Sequence, residues 1–430
     1  MNTVNTGNKD KTSLFSVANR MYREKNYEGA IAAYEILEEE NPSIPLYKQN
    51  NESARSKLSN SAKHSKKLGN QYHLENSSEF QKRLRVSHFV SEIGDPELID
   101  ACFTKDRDPQ IYLAKANATA QGNYLKWLEY VNSYLSSNDM SKISLKEIDH
   151  WVGSTPYLNI IPAKLEKVDG PLVTICMTCF NAEEYVEHAV RSVLAQSYQS
   201  IELLIFNDCS TDGSLGILRK LEKEDARIRI IDNKTNQGTY TSRNQAFQIA
   251  KGEFFTVLDA DDFALPERIS KQVHHLIEHK NHIGMLTEWV RMSLDGKFHF
   301  KTGWGGLYQH EAVATLMVRT KFTREKAGYW DSVRFGADSE YMNRLRRIFG
   351  ESSIPLVKIP TTISLFHENS LTNDPITGIA VNGMTGFSPA RSEYLRKWKD
   401  WHKKNGKNLY LKFPLSKDER PFSIPDEMYP

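Results

Sequence analysis

The feature that most constrains the fold is a regular alternation of apolar runs and amphipathic segments between residues 171 and 262. The apolar runs predict β-strands at 172–177, 201–206, 228–231 and 254–258. Segments with apolar residues at helical spacing lie between them, so strand and helix alternate four times. The run from Leu172 to Met177 is apolar almost throughout, which is typical of a strand buried on both faces of a parallel sheet. The pattern predicts a doubly wound α/β sheet with helices on both faces.

A cluster of polar residues follows each predicted strand. The clusters are 178–181, 207–213, 233–238 and 259–262. Because ligands of such sheets bind beyond the carboxyl ends of the strands, the clusters together predict a binding site. In the last cluster Asp259 and Asp261 are expected on the same side of the strand, where two carboxylates repel each other unless a cation lies close by. Such oxygen ligands suit Mn²⁺ or Mg²⁺, so the sequence predicts a divalent metal site here.

These clusters, with two more near residues 338 and 367, resemble the motifs of family-2 glycosyltransferases, which are inverting enzymes of the GT-A fold. The matching segments are 178–183, 207–213, 236–244, 259–262, 335–340 and 366–372. Asn207 and Cys209 stand where the family usually has Asp and Gly, and Ala337 stands where it has Glu. The Arg that commonly precedes the last motif is missing. The resemblance spans residues 171–372 and is greatest to bacterial transferases that build capsular or surface polysaccharide.

The resemblance also implies roles for individual residues. Asp338 is the implied general base, with Glu340 in reserve. Asp261 and His367 are the implied metal ligands. The implied nucleotide-sugar-binding residues are Thr178, Phe180, Glu183, Asp208, Arg243 and Asp259.

Within the nucleotide-sugar set, Asp208 is expected to accept a hydrogen bond from the uracil imide. Asp259 is expected near the ribose hydroxyls or a metal-bound water. Arg243 or Arg268 is expected to balance the charge of the diphosphate, because the Arg of the last motif is missing. Three simpler alternatives stay open: Asp338 as a helix N-cap, His367 as a core or surface histidine, and Asp208 as a turn-former.

The implied activity is transfer of a sugar from a UDP-sugar to a saccharide or lipid-linked saccharide acceptor, with inversion and with Mn²⁺ or Mg²⁺. The setting would be bacterial capsular or surface polysaccharide synthesis, with other polysaccharide-assembly proteins as partners. One alternative is a non-catalytic helical-repeat interaction protein with a degenerate transferase domain. Another is a nucleotidyltransferase, which would need a Gly-rich loop bearing Lys or Arg after the first strand. Residues 178–185 contain none of these.

The rest of the chain predicts further segments. Residues 1–12 are expected to be a disordered tail, 13–160 an α-helical domain, 168–390 the GT-A domain, and 391–430 a basic and aromatic helix and tail. The helical domain begins with a helix–turn–helix that resembles one tetratricopeptide unit. The residues that carry this resemblance are Ala18, Tyr27, Ala30, Tyr34 and Pro42.

In the C-terminal segment, Tyr394, Leu395, Trp398 and Trp401 recur at helical spacing among lysines and arginines. One hypothesis is peripheral contact with an anionic inner membrane; the alternative is that the aromatic residues pack on the catalytic domain. A formal net charge of +2 gives no indication of a nucleic-acid partner. The sequence has neither a spanning apolar run nor a secretory signal. No His/Cys partner cluster at zinc spacing follows Cys176 and Cys179, so free thiols and a cytoplasmic location are predicted.

Overall fold

The structure is a computed structural model of the 430-residue chain. It describes residues 13–62, 78–102, 108–120, 122–146, 155–301, 306–367, 380–381, 384–385 and 388–430. The chain divides into two compact units. The helical unit comprises the described residues of Met1–Ile161, Arg291–Gln309 and Gly383–Thr385, and the sheet unit comprises those of Pro162–Val290, His310–Asn382 and Gly386–Pro430.

The helical unit is built from helices that mostly begin at polar caps. They are α1 (Leu14–Arg23), α2 (Tyr27–Glu40), α3 (Pro45–Ala62), α4 (Glu79–Ser91), α5 (Ile111–Thr119) and α6 (Tyr124–Ser137), with the short strands β1 (Ser144–Leu145) and β2 (Ile160–Ile161). The side chain of Asn26 caps α2 by accepting a hydrogen bond from Gly29 N, and Ala18 and Ala30 are fully buried. The predicted helix–turn–helix is present as α1 and α2, while its tetratricopeptide character stays a prediction.

The segment 291–309 completes the helical unit, although the sequence placed it in the catalytic domain. Trp127 Nε1 donates to Gly296 O at 2.8 Å. Asn117 exchanges two hydrogen bonds with the backbone of Phe298, at 2.6 and 2.8 Å. Gln110 Oε1 accepts from the backbone N–H groups at positions 308 and 309. Asn117 of α5, Trp127 of α6 and Gln110, just before α5, therefore satisfy backbone polar groups of the segment.

The sheet unit is organised around one eight-stranded mixed sheet. Its strands are β3 (Val173–Cys179), β4 (Ile201–Asn207), β5 (Ile228–Asp232), β6 (Phe254–Val257), β7 (Phe263–Ala264), β8 (Gly284–Met292), β9 (Gln309–Arg319) and β10 (Leu356–Leu365). Their order is β5-β4-β3-β6-β9-β8-β10-β7. Strands β5, β4, β3 and β6 are parallel, and β9 pairs antiparallel with β6. Two further short strands are β11 (Ala380–Val381) and β12 (Met384–Thr385).

Helices cover both faces of the sheet because its strands are apolar on both sides. The helices are α7 (Val186–Leu194), α8 (Ser214–Glu224), α9 (Thr239–Ile249), α10 (Arg268–Glu278), α11 (Thr320–Ala327), α12 (Ala337–Phe349) and α13 (Pro389–Asn405). In β4, Leu203 packs with α7, α8 and α10, whereas Leu204 packs with α9, α12 and α13. In β3, Ile175 packs with the first group of helices and Cys176 with the second. The predicted fold class, a doubly wound mixed sheet with helices on both faces after an N-terminal helical region, is confirmed.

The predicted free thiols are also observed. All four cysteines are unpaired, and all but Cys209 are buried. Cys176 and Cys179 belong to β3 and lie in the core on opposite faces of the sheet. Cys179 packs with the first group of helices and Cys176 with the second. Their role is therefore packing.

The aromatic residues of α13 are part of the core of the sheet unit. Tyr394, Trp398 and Trp401 are buried, and three of the four lysines of the helix are exposed. This arrangement contradicts the hypothesis that the aromatic face contacts a membrane, because that face is already covered by protein. The alternative, packing on the catalytic domain, is the one that the structure supports. No helix in the described part of the chain is long and apolar enough to cross a membrane.

The residues after α13 belong to the sheet unit and do not form a separate tail. Tyr329 N donates to Leu411 O, and Arg334 N donates to Met428 O, both at 2.9 Å. Arg420 pairs with Asp331, and both side chains are almost fully buried. The C-terminal segment therefore holds the loop that leads into α12, the helix that carries residue 338.

Candidate active site

The loops that follow β3 and β4 are tied together by side chains from the first predicted motif. Asn181 Oδ1 accepts from Thr211 N at 2.8 Å, and Glu183 Oε2 accepts from Gly213 N at 2.6 Å. The Glu183 carboxylate is thus engaged in holding the second loop. Phe180, on the same turn, is 51 % exposed, which is unusual for a large apolar ring. The structure therefore presents Phe180 to solvent at the carboxyl edge of the sheet, while its predicted contact with the nucleotide sugar stays a prediction.

Asp208, directly after β4, organises the loop that leads into α9. Its Oδ1 accepts from Asn233 Nδ2 at 2.9 Å and from Gln237 N at 3.0 Å, and its Oδ2 accepts from Gly238 N at 2.8 Å. The side chain is buried. The alternative role of Asp208 as a residue that shapes a turn is therefore observed, while its predicted contact with uracil stays a prediction.

The N-terminal half of α9 links the predicted base to the acidic turn. The guanidinium of Arg243 is buried and donates through Nη1 to Asp338 Oδ1, while its Nη2 lies 3.8 Å from Asp259 Oδ1. Tyr240 Oη donates to Asp338 Oδ2 at 2.8 Å. The Asp338 side chain keeps 28 % exposure. A carboxylate that is held at both oxygens and still reaches solvent is well placed to meet an acceptor hydroxyl.

The alternative role of Asp338 as a helix N-cap is wrong. The N-cap position of α12 is Gly336, in a left-handed conformation with φ of 87°, and Asp338 is the second residue of the helix. Its oxygens contact Arg243 and Tyr240 of another helix. The side chain is therefore held by tertiary contacts and does not cap its own helix. We call the region around Asp338, Asp259, Asp261 and His367 the cleft.

Asp259 lies between the Arg243 guanidinium and two other carboxylates. Desolvation in the cleft, opposed by Arg243 and reinforced by the carboxylates of Asp261 and Asp338, raises the pKa of Asp259 to about 6. The side chain nevertheless retains 44 % exposure, so it remains accessible to a ligand. The two aspartates do not follow strand alternation as predicted, because β6 ends at Val257 and both belong to the turn after it.

The two implied metal ligands meet although they are 106 positions apart in the sequence. His367 Nε2 lies 3.1 Å from Asp261 Oδ2, and the imidazole stacks on Tyr185 with 5.9 Å between ring centroids. Asp262 is buried and accepts from Leu365 N at 3.2 Å, which fixes the end of β10 against the acidic turn. Adjacent ligands at right angles around a small divalent ion are about 3.0 Å apart when each bond is ~2.1 Å. The two donor atoms share a hydrogen bond in this structure, and their 3.1 Å separation is also that of two ligands of such an ion. The mixed oxygen and nitrogen set suits Mn²⁺.

Two predicted residues are held away from the cleft. Glu340 has no exposed surface, and its carboxylate accepts from Arg344 Nη2 at 2.9 Å and lies 2.8 Å from His402 Nε2. The reserve role of Glu340 as a base is not supported, because a fully buried and paired carboxylate cannot meet an acceptor. Arg268 is also buried and donates to Val257 O at 2.6 Å. It stabilises the sheet and is not placed to bind a diphosphate.

The remaining predicted contact residue, Thr178, belongs to β3. It shares a 2.8 Å hydrogen bond between its hydroxyl and that of Thr239, at the start of α9. The end of β3 and the start of α9 are therefore joined directly at the carboxyl edge of the sheet.

Two cleft residues were not predicted. Tyr240 lies nearly one helical turn before the motif residue Arg243, and a tyrosine at that spacing carries no distinctive signal. The guanidinium carbon of Arg391 lies 5.0 Å from the centre of the Phe335 ring. Burial lowers the pKa of Arg391, and the nearby Tyr240 and Asp338 oppose that shift. Its neighbours in the sequence are the basic residues of the C-terminal segment, which gave no indication of a place in the cleft.

Comparison with known families identifies the segment that carries most of this cleft. Residues 174–333 match the model described as glycosyl transferase family 2. The chain carries a family-2 glycosyltransferase domain. Of the cleft residues, Asp208, Arg243, Asp259 and Asp261 lie inside the matched segment, whereas Asp338 and His367 lie beyond it. The family match thus covers four of these six residues.

Several curated relatives are similar over part of this family-2 domain. An uncharacterized glycosyltransferase of Haemophilus influenzae is 33% identical over 155 residues, which is 34% of this chain and 48% of the relative. The putative teichuronic acid biosynthesis glycosyltransferase TuaG of Bacillus subtilis is 39% identical over 108 residues, which is 25% of this chain and 43% of TuaG. The chain therefore spans less than half the length of these relatives.

A third relative has a more specific name. It is the UDP-Glc:alpha-D-GlcNAc-diphosphoundecaprenol beta-1,3-glucosyltransferase WfaP of Escherichia coli, 37% identical over 105 residues, which is 24% of this chain and 41% of WfaP. Among solved structures, residues 1-349 of S. aureus TarS in complex with UDP-GlcNAc are 18% identical, covering 46% of this chain and 59% of that one, with a TM-score of 0.36. This structural likeness is remote.

Proposed function

We propose that the protein is a glycosyltransferase that moves a sugar from a UDP-sugar to a saccharide acceptor with inversion at the anomeric carbon. The observation that carries the proposal is the series of contacts from Asp338 through Arg243 to Asp259, next to the Asp261–His367 pair. These groups come from four separate parts of the chain. A one-step displacement with inversion needs a base and a site that stabilises the leaving diphosphate. The convergence of these groups at one edge of the sheet would supply both.

In the proposed reaction, Asp338 accepts the proton of the acceptor hydroxyl as that oxygen attacks the anomeric carbon. The sugar's bond to the diphosphate breaks at the same centre, and the diphosphate leaves with its electron pair. Arg243 and Tyr240 hold the two oxygens of Asp338, so we assign them as positioning residues. The base is effective only when it is held within hydrogen-bond reach of the hydroxyl.

We propose Asp261 and His367 as the residues that hold a divalent ion, with Asp259 beside them. Such an ion, when bound, stabilises the negative charge that develops on the diphosphate. Phe180 and Thr178 around the end of β3 are the proposed contacts of the nucleoside, and Asp208 fixes the loop around it. Arg268 of α10 is buried against the sheet and Arg243 pairs with Asp338, so the ion is the main proposed source of positive charge at the leaving group.

The names of two relatives support the substrate class. WfaP is named for transfer from UDP-Glc to a diphosphoundecaprenol-linked sugar, and TuaG for teichuronic acid biosynthesis. We therefore propose a UDP-hexose as donor and a saccharide or lipid-linked saccharide of a bacterial surface polysaccharide as acceptor. A cytoplasmic setting with other polysaccharide-assembly proteins as partners is part of the same proposal.

The test is UDP binding followed by UDP release. Calorimetric titration with UDP is carried out with Mn²⁺ and with EDTA, on the natural chain and on Asp261→Asn. Tighter binding with Mn²⁺ in the natural chain, and equal binding under both conditions in the variant, would support the assignment of Asp261. Release of UDP from UDP-Glc is then measured with and without oligosaccharide acceptors. Equal affinity for UDP with and without metal in the natural chain would contradict the proposed metal site.

A further inference from the structure

A cluster of three histidines lies at the C-terminal end of α10, the opposite end of that helix from the acidic turn. We define the histidine cluster as His275, His279 and His282, each of which offers a ring nitrogen within 4.8 Å of those of the other two. His275 Nε2 is 3.0 Å from His282 Nδ1. Centroids of the three rings are 4.3 to 5.2 Å apart. Nothing in the proposed transfer reaction uses these side chains.

The fold holds the cluster in place at several points. His275 and His279 are four residues apart, which puts them on the same side of α10 and its C-cap. Arg319 Nε donates to His282 O at 3.0 Å, and Ile283 N donates to Ser353 O at 2.9 Å. The turn from the end of α10 into β8 is therefore fixed by neighbouring strands and loops. The three rings are stacked with interplanar angles of 2 to 19°, so their side chains must rotate before the nitrogens can converge on one ligand.

The ring nitrogens are chemically suited to a metal ion. His279 Nδ1 lies 2.9 Å from His275 O, so its proton occupies that nitrogen and Nε2 is left with a lone pair. Burial, followed by the neighbouring histidines, lowers the pKa of His275. Burial, followed by His279 and Arg319, likewise lowers the pKa of His282. Both shifts favour the neutral form of imidazole, which is the form that binds metals.

We propose that the histidine cluster binds one Zn²⁺ ion through three imidazole nitrogens. Three histidines with a water in the fourth position is a ligand set that Zn²⁺ adopts in proteins, and the three residues between His275 and His279 match a typical ligand spacing. The set consists of nitrogen donors alone, which distinguishes it from the Asp261–His367 pair that suits a harder ion. The positive charge of Arg319 opposes binding, but its guanidinium also approaches Glu253 at 3.6 Å. Bound Zn²⁺ would fasten the end of α10 to the start of β8.

The experiment measures zinc stoichiometry and thermal stability in the full chain without an affinity tag. Protein freed of metal is titrated with ZnCl₂, and bound zinc is counted after gel filtration. His279→Ala removes one proposed ligand at an exposed position, and His274→Ala is the matched control. His274 is 74 % exposed and pairs with Glu278 on the same helix, outside the cluster. Every protein in the experiment also carries Asp261→Asn, so that the cleft does not bind a second ion.

The proposal predicts one zinc per chain and a higher melting temperature with zinc in the control, and loss of both effects in His279→Ala. His282→Gln is measured in parallel and is expected to behave like His279→Ala, so that misfolding of one variant does not decide the result. Co²⁺ in place of Zn²⁺ should give the visible absorption of a four-coordinate site in the control alone. Equal zinc uptake by the control and both cluster variants would overturn the proposal. The outcome is independent of UDP binding and of transfer activity.

Discussion

Asp338 is the residue on which the proposed chemistry depends most directly. Asp338→Asn keeps the size of the side chain and removes its ability to take a proton. We expect turnover to fall by a factor of roughly 10²–10⁴, the usual contribution of a positioned acid or base, with UDP affinity little changed. Initial rates of UDP release and calorimetric titration measure the two quantities. Ser339→Ala, at the next and exposed position of α12, is the control. Unchanged turnover in Asp338→Asn would remove Asp338 from the mechanism.

Cys209 occupies a backbone conformation that favours glycine. Its φ is 65°, where a Cβ atom costs an L-residue roughly 1–2 kcal/mol, and its Sγ makes a 3.5 Å contact with Lys234 O. Cys209→Gly should stabilise the fold by about 1 kcal/mol, since relief of this strain exceeds the greater chain entropy of glycine. The urea midpoint measures the change. Cys209→Ala loses the same thiol contact but keeps the strain, so a gain in both variants would contradict the explanation.

Individual site residues were predictable where a local motif carries them. Asp261 and His367 were predicted as a pair and lie 3.1 Å apart. The positioning role of Arg243 was not predicted, because its partner Asp338 is 95 positions away and no local pattern reports such a contact. Glu340 was predicted as a second candidate for the base because its burial is also not visible in the local sequence. The side chain is buried against Arg344 and against His402, and the contact with His402 depends on how α13 packs.

Secondary-structure elements were predictable where they repeat a simple pattern. The four parallel strands were predicted to within about two residues, because each is a short and mostly apolar run. The strands β7 to β10 were not predicted. β7 has only two residues, and β9 pairs with β6 although β6 ends at Val257 and β9 begins only at Gln309. Long-range antiparallel pairing of this kind leaves no periodic signal in either segment.

Besides backbone hydrogen bonds, one buried ion pair attaches the C-terminal segment to the loop before α12. Arg420→Ala would leave the Asp331 carboxylate buried beside Tyr394 Oη, which donates to it at 3.1 Å. Loss of one partner of a buried pair costs roughly 3–5 kcal/mol, and the urea midpoint should fall accordingly. Lys412→Ala is the control, because its pair with Glu419 is exposed and such pairs contribute little to stability. Equal effects of the two substitutions would contradict this assignment.

The loss of folding stability caused by Arg420→Ala should also depend on pH. Burial raises the pKa of Asp331, and Arg420 opposes that rise. Without Arg420 the folded-state pKa rises further above the unfolded value, so the folded state binds a proton more readily than the unfolded state. The stability of the variant is therefore greatest below the unfolded pKa and is lost as pH rises through the folded pKa. Urea midpoints of the variant and the natural chain should converge as pH is lowered from neutral, and a constant difference would show that Asp331 does not titrate in the variant.

The molecule consists of two units that do not correspond to two continuous stretches of chain. A chain that begins at Pro162 would lack α5 and α6, and with them the partners of Gly296 O, Phe298 N and Tyr308 N. Phe298, Phe300 and Tyr308 would lose their ring contacts with His88 and Trp127 as well. We expect this truncated protein to associate, and light scattering after size-exclusion chromatography measures the association.

The control for that truncation is the same protein with 291–309 replaced by a short Gly/Ser linker. It lacks the uncovered segment and should stay monomeric while keeping the residues of the cleft. If both truncated proteins associate to the same extent, the segment is not the cause, and the sheet unit itself requires the first 161 residues.

Segment 291–309 also sets an order of events during synthesis. The first 161 residues leave the ribosome before the segment that supplies Gly296 and Phe298 to Trp127 and Asn117 has been made. Roughly 150 more residues must be added, which takes ~7–30 s at ~5–20 residues per second. During that interval part of the apolar surface of the helices within the first 161 residues is uncovered. The nascent chain should therefore be a client of ribosome-associated chaperones, and the helical unit should reach its native state only when the sheet unit is already half synthesised.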